Sequence, residues 1–337
     1  MFIIKWILKF IFKIVMLIAV LVGLVWLLFN WPVKTKNEDM KFGVSFAHHH
    51  AESLELDWKE TYTAILDDLG VERIRIAAYW DRVEMEEGQY DFSDVDWQVK
   101  EAQKREVELT LAFGVKTPRW PECHIPEFYL EDKAEREEAL LVFEEVLIER
   151  YKNYDNIIYW QVENEPFLKF FGDCPEGAID EQLIDKEIAL VKKLDPTRKI
   201  IVTDSGELSL WWQAAERADI FGSTLYRIIY KPPFGYVTYP LGPNFFRVKA
   251  LLARVVTGQD NFIISELQAE PWPKAWILWV SVEEQYKTMN PEKFEEIIEY
   301  TQKTNFSEAY LWGVEWWYWL KEKKDLPEMW EAAKKIL

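Results

Sequence analysis

The chain has 337 residues, 49% of them hydrophobic, which is enough to build one large domain around a sizeable core. It carries 58 acidic against 40 basic residues, a net charge of −18, and this acidity argues against a nucleic-acid partner, since such proteins present a basic surface. The 18 tryptophans exceed what a core of this size needs, and indole rings also line membrane interfaces and stack on sugars.

The amino-terminal segment is apolar and basic. Ile14 to Phe29 contains no charged residue, and the run from Phe2 to Trp31 exceeds the roughly 20 apolar residues that cross a bilayer. We predict a membrane anchor at residues 1–33 and a linker at 34–40. A cleaved signal peptide is the alternative, although no small-residue cleavage site follows Phe29. Three lysines before the apolar core and two after it favour a domain outside the cytoplasm.

From residue 41 onwards, short β-branched and aromatic runs alternate with amphipathic stretches, which is typical of strand–helix units. Eight such pairs predict a (β/α)8 TIM barrel over residues 41–337, following the N-terminal transmembrane helix. The predicted strands are Phe42–Phe46, Arg73–Ala77, Glu108–Phe113, Ile157–Val162, Lys199–Thr203, Ile220–Ser223, Phe262–Ser265 and Ala309–Gly313. The predicted helices are Trp58–Leu69, Val95–Arg105, Lys133–Tyr151, Ile179–Leu194, Leu208–Ala218, Asn244–Val256, Pro291–Lys303 and Pro327–Leu337. Arg227–Pro243, rich in Tyr, Pro and Gly, is predicted to be a long loop.

Chemistry in such a barrel lies at the carboxyl ends of the strands. Polar and aromatic residues do follow each predicted strand, and in strand order they are His48, His49 and His50; Tyr79 and Trp80; Lys116 and Trp120; Asn164 and Glu165; Asp204 and Glu207; Tyr226 and Arg227; Glu266 and Gln268; and Glu315, Trp316 and Trp317. The two cysteines, Cys123 and Cys174, fall in loops after neighbouring strands. A disulfide and two unpaired thiols both remain open.

Two glutamates stand out among these residues. Glu165 ends the fourth predicted strand in Asn164-Glu165-Pro166, and Glu266 ends the seventh in Ile264-Ser265-Glu266. A carboxylate in an apolar strand is costly unless it is paired or functional. Glycoside hydrolysis uses two carboxyl groups flanking the scissile bond, about 5–5.5 Å apart in retaining enzymes. We therefore predict a catalytic pair, with structural ion pairs as the alternative.

These motifs resemble those of clan A of the glycoside hydrolases, which includes the family 5 cellulases and mannanases and the family 42 β-galactosidases. The resemblance covers residues 41 to about 320. It implies that Glu165 is the general acid/base, that Glu266 is the nucleophile, and that Asn164 hydrogen-bonds the sugar 2-hydroxyl. The Trp-rich end of the eighth strand and the turn Asp204–Glu207 depart from both families.

The same resemblance assigns supporting roles. Val71–Ile76, with Trp80 and Glu87–Phe92 after it, looks like the second strand of the clan and its loop. Arg75 then matches the arginine that keeps the nucleophile ionised, and Tyr226 matches the side chain that hydrogen-bonds it. The segment Trp312–Trp319 resembles the aromatic sugar platform of the clan.

Several further residues are expected near the substrate or in support of the site. They are His48 or His49 at the glycone, Trp120, Trp316 and Trp317 as aromatic stacking platforms, with core or rim packing as the alternative, and Trp80 and Gln268. Glu207 either contacts substrate or caps a helix starting near Leu208, because acids favour helix amino termini. Glu163 is expected to make a structural hydrogen bond, and Glu270 to contact sugar or arginine. No metal and no cofactor is predicted, because adjacent histidine side chains diverge and no second ligand cluster accompanies them.

The sequence thus predicts a membrane-anchored retaining glycoside hydrolase whose partner is a β-linked oligosaccharide or polysaccharide outside the cytoplasm. Two alternatives remain open: a carbohydrate-binding barrel without activity, and a transglycosylase that remodels envelope glycans. The sequence indicates neither the sugar nor exo or endo action.

Overall fold

The computed structural model describes residues 2–337, in which eight parallel strands close into a barrel and two further strands form a separate hairpin. The strands are β1 (Lys41–Ser45), β2 (Arg73–Ala77), β3 (Glu108–Phe113), β4 (Ile157–Val162), β5 (Lys199–Asp204), β6 (Ile220–Leu225), β7 (Ile228–Lys231), β8 (Gly235–Thr238), β9 (Phe262–Gln268) and β10 (Glu308–Trp312). Around the barrel the order is β1-β2-β3-β4-β5-β6-β9-β10, and β10 pairs back with β1.

Helices follow the strands and cover the outside of the barrel. They are α1 (Phe2–Phe29), α2 (His48–Ser53), α3 (Trp58–Ala64), α4 (Trp80–Val83), α5 (Ser93–Gln103), α6 (Lys133–Tyr151), α7 (Glu181–Leu194), α8 (Trp212–Ala215), α9 (Pro243–Thr257), α10 (Val282–Gln285), α11 (Pro291–Gln302), α12 (Val314–Lys324) and α13 (Glu328–Lys334). A π-helical turn, Ile65–Leu69, continues α3, and 3-10 turns occupy Glu127–Tyr129 and Ile277–Trp279.

The predicted (β/α)8 barrel is confirmed, and its eight predicted strands correspond to β1–β6, β9 and β10. Every residue of β2, β6, β9 and β10 is buried, as expected for parallel strands with a packed interior on one face and helices on the other. Because all eight strands run the same way, their carboxyl ends meet at one mouth.

The predicted loop Arg227–Pro243 was wrong in part, because it contains the antiparallel hairpin β7–β8. Ile228-Ile229-Tyr230 and Tyr236-Val237-Thr238 are β-branched and aromatic runs, and residues of this kind favour strands. Gly235 has a φ of 77°, in the left-handed region that suits glycine, and this lets the chain reverse after Pro232-Pro233-Phe234.

The predicted helix Leu208–Ala218 was also wrong in extent, since only Trp212–Ala215 is helical. Side chains of the preceding residues bond to the backbone instead: Ser209 Oγ and Trp211 Nε1 both donate to the Ser205 carbonyl, at 2.8 and 2.9 Å. Trp211 has a φ of 75° and a buried ring, so its packing fixes a turn where the periodicity predicts a helix.

The region after the last barrel strand also differs from the prediction. Glu315, Trp316 and Trp317 were predicted to follow the last strand, and they do so inside a helix that was not predicted, α12, which begins two residues after β10. Gly313 makes this abrupt strand-to-helix turn with a φ of 138°. The predicted helix Pro327–Leu337 is present as α13.

α1 contains an apolar stretch, Lys5–Phe29, with a mean hydropathy of 2.8 and none of it buried, so it is long and apolar enough to cross a membrane. A signal sequence has the same properties. The residues after it run along the barrel: Lys36 pairs with Glu299 at 3.0 Å, Asn37 Nδ2 donates to the Phe306 carbonyl at 2.8 Å, and Met40 is buried.

Candidate active site

A buried arginine organises the mouth of the barrel. Arg75, in β2, donates from Nη1 to Glu266 Oε1 at 3.1 Å, from Nη2 to Asn164 Oδ1 at 2.9 Å and from Nε to Gln161 Oε1 at 2.7 Å. These partners come from the ends of β9 and β4, so one guanidinium joins three strands. The predicted Arg75, Asn164 and Glu266 are therefore brought together in one network.

Glu266 is bound at both carboxylate oxygens. Arg75 contacts Oε1, and the Tyr226 hydroxyl donates to Oε2 at 3.1 Å. A cation and a hydroxyl donor both favour the ionised form of a carboxyl group. Burial and the negative charge of Glu266 raise the pKa of Tyr226 well above its usual range, so the phenol keeps the proton that it donates.

Glu165 lies on a backbone that glutamate rarely adopts. Its φ is 45°, and that of Glu163 is 59°, both in the left-handed region. The Glu165 amide donates to Thr203 Oγ1 at 2.8 Å, and its carboxyl Oε1 accepts from Thr224 Oγ1 at 3.2 Å. Backbone conformations of this kind cluster at functional sites, where the surrounding contacts hold them in place.

The two glutamates differ in their electrostatic surroundings. Glu165 and Glu266 are 6% and 4% exposed. Burial, and next the negative charge of Glu266, raise the pKa of Glu165 well above its usual range, although Lys116 opposes this shift. Glu266 instead has Arg75 in direct contact. Glu165 is therefore the carboxyl group with the raised pKa, and Glu266 is the one that contacts a cation, which is an asymmetry that suits an acid beside a nucleophile.

Solved structures with the same barrel support this interpretation of the fold. One is a β-galactosidase from the Antarctic haloarchaeon Halorubrum lacusprofundi, with a TM-score of 0.54 and 16% identity over 81% of this chain and 52% of that chain. A second is xylanase 10B from Thermotoga maritima, with a TM-score of 0.53 and 14% identity over 81% of this chain and 83% of that chain. A third is a family 5, subfamily 18 protein from Streptomyces cattleya in complex with GlcNAc, with a TM-score of 0.55 and 11% identity over 82% of this chain and 71% of that chain. The parallel eight-stranded barrel is the fold that this chain shares with these three proteins.

The chain spans about half of the length of the haloarchaeal β-galactosidase. No family model and no curated protein matches the sequence. At these identities the likeness concerns the barrel fold, and the assignment of individual residues depends on the geometry of this site.

Two predicted residues hold the segment that carries Tyr226 at the mouth of the barrel. Gln268 accepts at Oε1 from the amides of Arg227 and Ile228, at 2.7 and 2.9 Å. Glu207 accepts from the Tyr226 amide at 3.0 Å. The cap predicted for Glu207 was wrong, because no helix begins near Leu208. Both side chains bond to the backbone and so position the tyrosine.

Two of the three tryptophans predicted as stacking platforms are buried, so the expectation that Trp316 and Trp317 face sugar was wrong. Trp80, which was expected near the substrate or in support of the site, is buried too, so Trp80, Trp316 and Trp317 are each fully covered. Their indole N–H groups donate to Glu84 Oε2, Gln285 Oε1 and the Ala269 carbonyl, respectively, at 2.6, 2.7 and 2.7 Å. Trp120 differs, since it is 66% exposed on the loop after β3 and keeps a free ring face.

The first two histidines belong to an aromatic cluster at the β1–β3 side of the mouth. The rings of His48 and His49 pack edge-on against Tyr79, with centroids 5.4 and 4.4 Å away, and His49 also packs against His124. Burial lowers the pKa of His48 to about 3 and that of His49 further, so both rings are neutral. A sugar contact from either ring stays a prediction.

Sequence reasoning missed Arg119, which crosses the mouth from the loop after β3. It pairs with Glu270 and, at 2.9 Å, with Glu315, and its guanidinium lies 4.1 Å from the centre of the Trp312 ring. Burial opposes ionisation of Glu270, but Arg119 and His50 outweigh it and lower the pKa of that carboxyl to about 2. The expectation that Glu270 contacts sugar or arginine holds for arginine.

Glu122 was also missed. It accepts from Asn164 Nδ2 at 3.1 Å, and burial raises its pKa to about 7. The adjacent Cys123 forms a disulfide with Cys174, which ties the loop after β3 to the loop after β4. The sequence left this pairing open. The signal in the sequence that could have pointed to Glu122 is its place next to Cys123, in a loop that follows a barrel strand.

One group of side chains has the spacing of a metal site. Ligand atoms of His50, Glu270 and Glu315 lie within 4.8 Å of one another, the only such group among residues 2–337. Arg119 already pairs with both carboxylates, and a cation would have to displace that guanidinium. We therefore assign no metal to these residues.

A second set of glutamates lies behind the mouth without any basic partner. Glu163 accepts from the Val115 and Lys116 amides at 2.8 and 2.6 Å, which is the structural role predicted for it. Glu144 in α6 and Glu187 in α7 are fully buried beside it. Burial raises the pKa of Glu144 to about 8, so this carboxyl stays protonated at neutral pH.

We expect Glu144 to make the stability of the barrel fall as pH rises from the acidic range to about 8. The folded state keeps the proton to about pH 8, whereas an unfolded glutamate loses it near 4.5, so the free energy of unfolding falls as pH rises between these values. Glu144→Gln should flatten that fall by an amount on the order of a few kcal/mol. Thermal unfolding midpoints from pH 5 to 8.5 measure it. Glu145→Gln, an exposed neighbour with the same charge change, is the control, and equal slopes in all three proteins would contradict the expectation.

Proposed function

We propose that this protein is a retaining glycoside hydrolase that cleaves a β-linked oligosaccharide or polysaccharide, with Glu165 as acid/base and Glu266 as nucleophile. The observation that carries the proposal is the asymmetry of the pair: Arg75 and Tyr226 bind the carboxylate of Glu266, while burial and that same charge raise the pKa of Glu165. A pair of structural carboxylates would need no such difference.

In the first step Glu266 attacks the anomeric carbon while Glu165 gives its proton to the leaving oxygen. A glycosyl-enzyme ester forms and the aglycone leaves as an alcohol. Tyr226 and Arg75 hold the attacking carboxylate in one orientation, because each oxygen has its own donor. The negative charge of Glu266 helps to raise the pKa of Glu165. Formation of the ester removes that charge, so the pKa of Glu165 falls and its ionised form is favoured.

In the second step ionised Glu165 takes a proton from water, and the water oxygen attacks the anomeric carbon. Glu266 leaves as a carboxylate, which restores the charge beside Arg75 and Glu165. Two inversions at one carbon give a product with the configuration of the substrate. No step needs a metal or an organic cofactor.

We further propose that α1 is a membrane anchor and that the barrel lies outside the cytoplasm. The length and hydropathy of Lys5–Phe29, together with the lysines on either side, support this placement. An acidic barrel with a carboxylate pair suits a neutral glycan, and the exposed Trp120 offers a ring face for stacking at the mouth.

The experiment is a screen of the detergent-solubilised chain on aryl β-glucoside, β-galactoside, β-mannoside and β-xyloside and on β-glucan, mannan and xylan. On any substrate that is cleaved, proton NMR of the first-formed product should give the β-anomer before mutarotation. A first-formed α-anomer would contradict double displacement. Hydrolysis of no β-linked substrate, with binding retained, would favour a carbohydrate-binding barrel instead.

A further inference from the structure

The acidic residues are unevenly distributed along the chain. With 58 Asp and Glu in 337 residues, a stretch of 40 residues carries about seven on average, yet the 40 residues from Ile220 to Gln259 carry none. This stretch contains β6, the hairpin β7–β8 and α9. The only other acid-free stretch of comparable length is the amino-terminal segment before Glu38, which includes α1.

These two acid-free stretches contact each other in the fold. Asn244 Nδ2, in the first turn of α9, donates to the Leu28 carbonyl in the last turn of α1, at 2.7 Å. The rings of Phe29 and Phe245 pack edge to face with centroids 5.0 Å apart. The end of α1 is therefore attached to the start of α9, directly after the hairpin. Tyr226 begins the connection between β6 and α9 that contains the hairpin, so the attachment lies on the side of the barrel where the mouth opens.

α9 presents an unpartnered apolar face. Leu251, Leu252, Val255 and Val256 are 55–75% exposed, and their spacing of one, four and five residues puts them on one side of the helix. Outside α1, no other helix in residues 2–337 exposes four large apolar side chains. Phe234, at the tip of the hairpin beside exposed Lys231, is 75% exposed as well.

We propose that this surface, defined by Phe234, Leu251, Leu252, Val255 and Val256, rests on the membrane that α1 spans. An apolar helix face that is continuous with a membrane-length helix inserts at the boundary of headgroups and acyl chains. The missing acids remove the repulsion that the rest of this acidic protein experiences from anionic lipids. The inference rests on α1 as the anchor, which is part of the proposed function.

The surface also fixes an orientation. A helix rises 1.5 Å per residue, so Val256 lies roughly 16 Å along α9 from Phe245, where α1 is attached. If only the rim of the mouth touched lipid, Phe234 would reach the bilayer and Val256 would stand in water. Contact at both ends of α9 means that the barrel lies on its side, with its mouth opening along the headgroups.

The test places one fluorophore at a time on the full chain in nanodiscs of zwitterionic and anionic lipid. Both native cysteines are in the disulfide, so Phe234→Cys, Val256→Cys and Val142→Cys each supply a single free thiol for an environment-sensitive dye. Val142 is the matched control, since it is 49% exposed on α6, about three strands around the barrel from α9.

We expect shallow nitroxide-labelled lipid to quench the dyes at positions 234 and 256 at least about threefold more than the dye at 142. Quenching at 234 alone would overturn the inference, as would equal quenching at 142 and 256. A blue shift at 256 without quenching, growing with protein density, would assign the face to a second copy of the chain and also overturn it. Failure of the chain to insert into the nanodiscs would overturn the inference as well, because α1 would then not be the anchor. The readout is independent of turnover, so it separates this inference from the glycosidase proposal.

Discussion

Glu266→Ala is expected to abolish turnover on every substrate that the protein cleaves, by roughly 10⁴-fold or more, which is the scale seen when a covalent catalyst loses its nucleophile. The loss has a direct cause: no other carboxyl group is held between Arg75 and Tyr226, so no group replaces the attacking oxygen. The measurement is kcat/KM on aryl β-glycosides, with the wild-type protein and the variant at equal folded concentration.

Glu266→Ala also leaves Arg75 buried without its carboxylate, so a folding defect must be separated from a chemical one. Glu266→Gln keeps the volume, and its carboxamide oxygen still accepts from Arg75, so it should fold normally and yet be as inactive as the alanine variant. Glu176→Ala removes an exposed acid near the mouth and should keep full activity. Near wild-type rates in Glu266→Gln would remove Glu266 from the mechanism.

Azide gives a second check on the same residue. In the space left by Glu266→Ala, an azide ion attacks the anomeric carbon from the face that the carboxylate used. We expect partial rescue with an aryl β-glycoside and an α-glycosyl azide as product, since only one inversion occurs. A β-glycosyl azide would mean that the residue does not attack the sugar.

The barrel and its central pair were accessible from sequence because both depend on patterns that are local in the chain. Alternation of apolar strands with amphipathic helices specifies parallel strands, and parallel strands bring their carboxyl ends together without further information. In the structure Glu165 and Tyr226 follow the ends of β4 and β6, and Glu266 and Arg75 lie within β9 and β2. Strand order brings Arg75, Asn164, Glu266 and Tyr226 close enough to share one hydrogen-bonded network.

The residues that sequence reasoning placed wrongly depend on rotation of side chains and on long-range pairing. Trp316 and Trp317 were expected to face sugar, but α12 starts so soon after β10 that helical geometry turns both rings into the core. Arg119 pairs with residues 151 and 196 positions away, and no local pattern around it encodes those partners. The hairpin β7–β8 was hidden because each of its strands has only four residues and the prolines and glycine between and after them are typical of a loop.

Glu165→Ala is expected to lose activity in proportion to how poor the leaving group is. General acid catalysis contributes about 10²–10⁴-fold, so disaccharides and glycans should lose that much, whereas aryl glycosides whose leaving phenol is acidic need little protonation. A series of aryl β-glycosides of rising phenol pKa measures the effect. The slope of log kcat/KM against that pKa should be shallow in the wild-type protein and steep in the variant.

The pH profile gives the same residue an independent signature. Because burial and the charge of Glu266 raise the pKa of Glu165, its protonated form persists above the usual range of a glutamate, and kcat/KM of the wild-type protein should fall as pH rises through that pKa. Glu165→Ala has no proton to lose there and should show no such alkaline limb. A merely structural role for Glu165 predicts the opposite on both measurements: an equal loss on good and poor leaving groups, and an alkaline limb that survives the substitution.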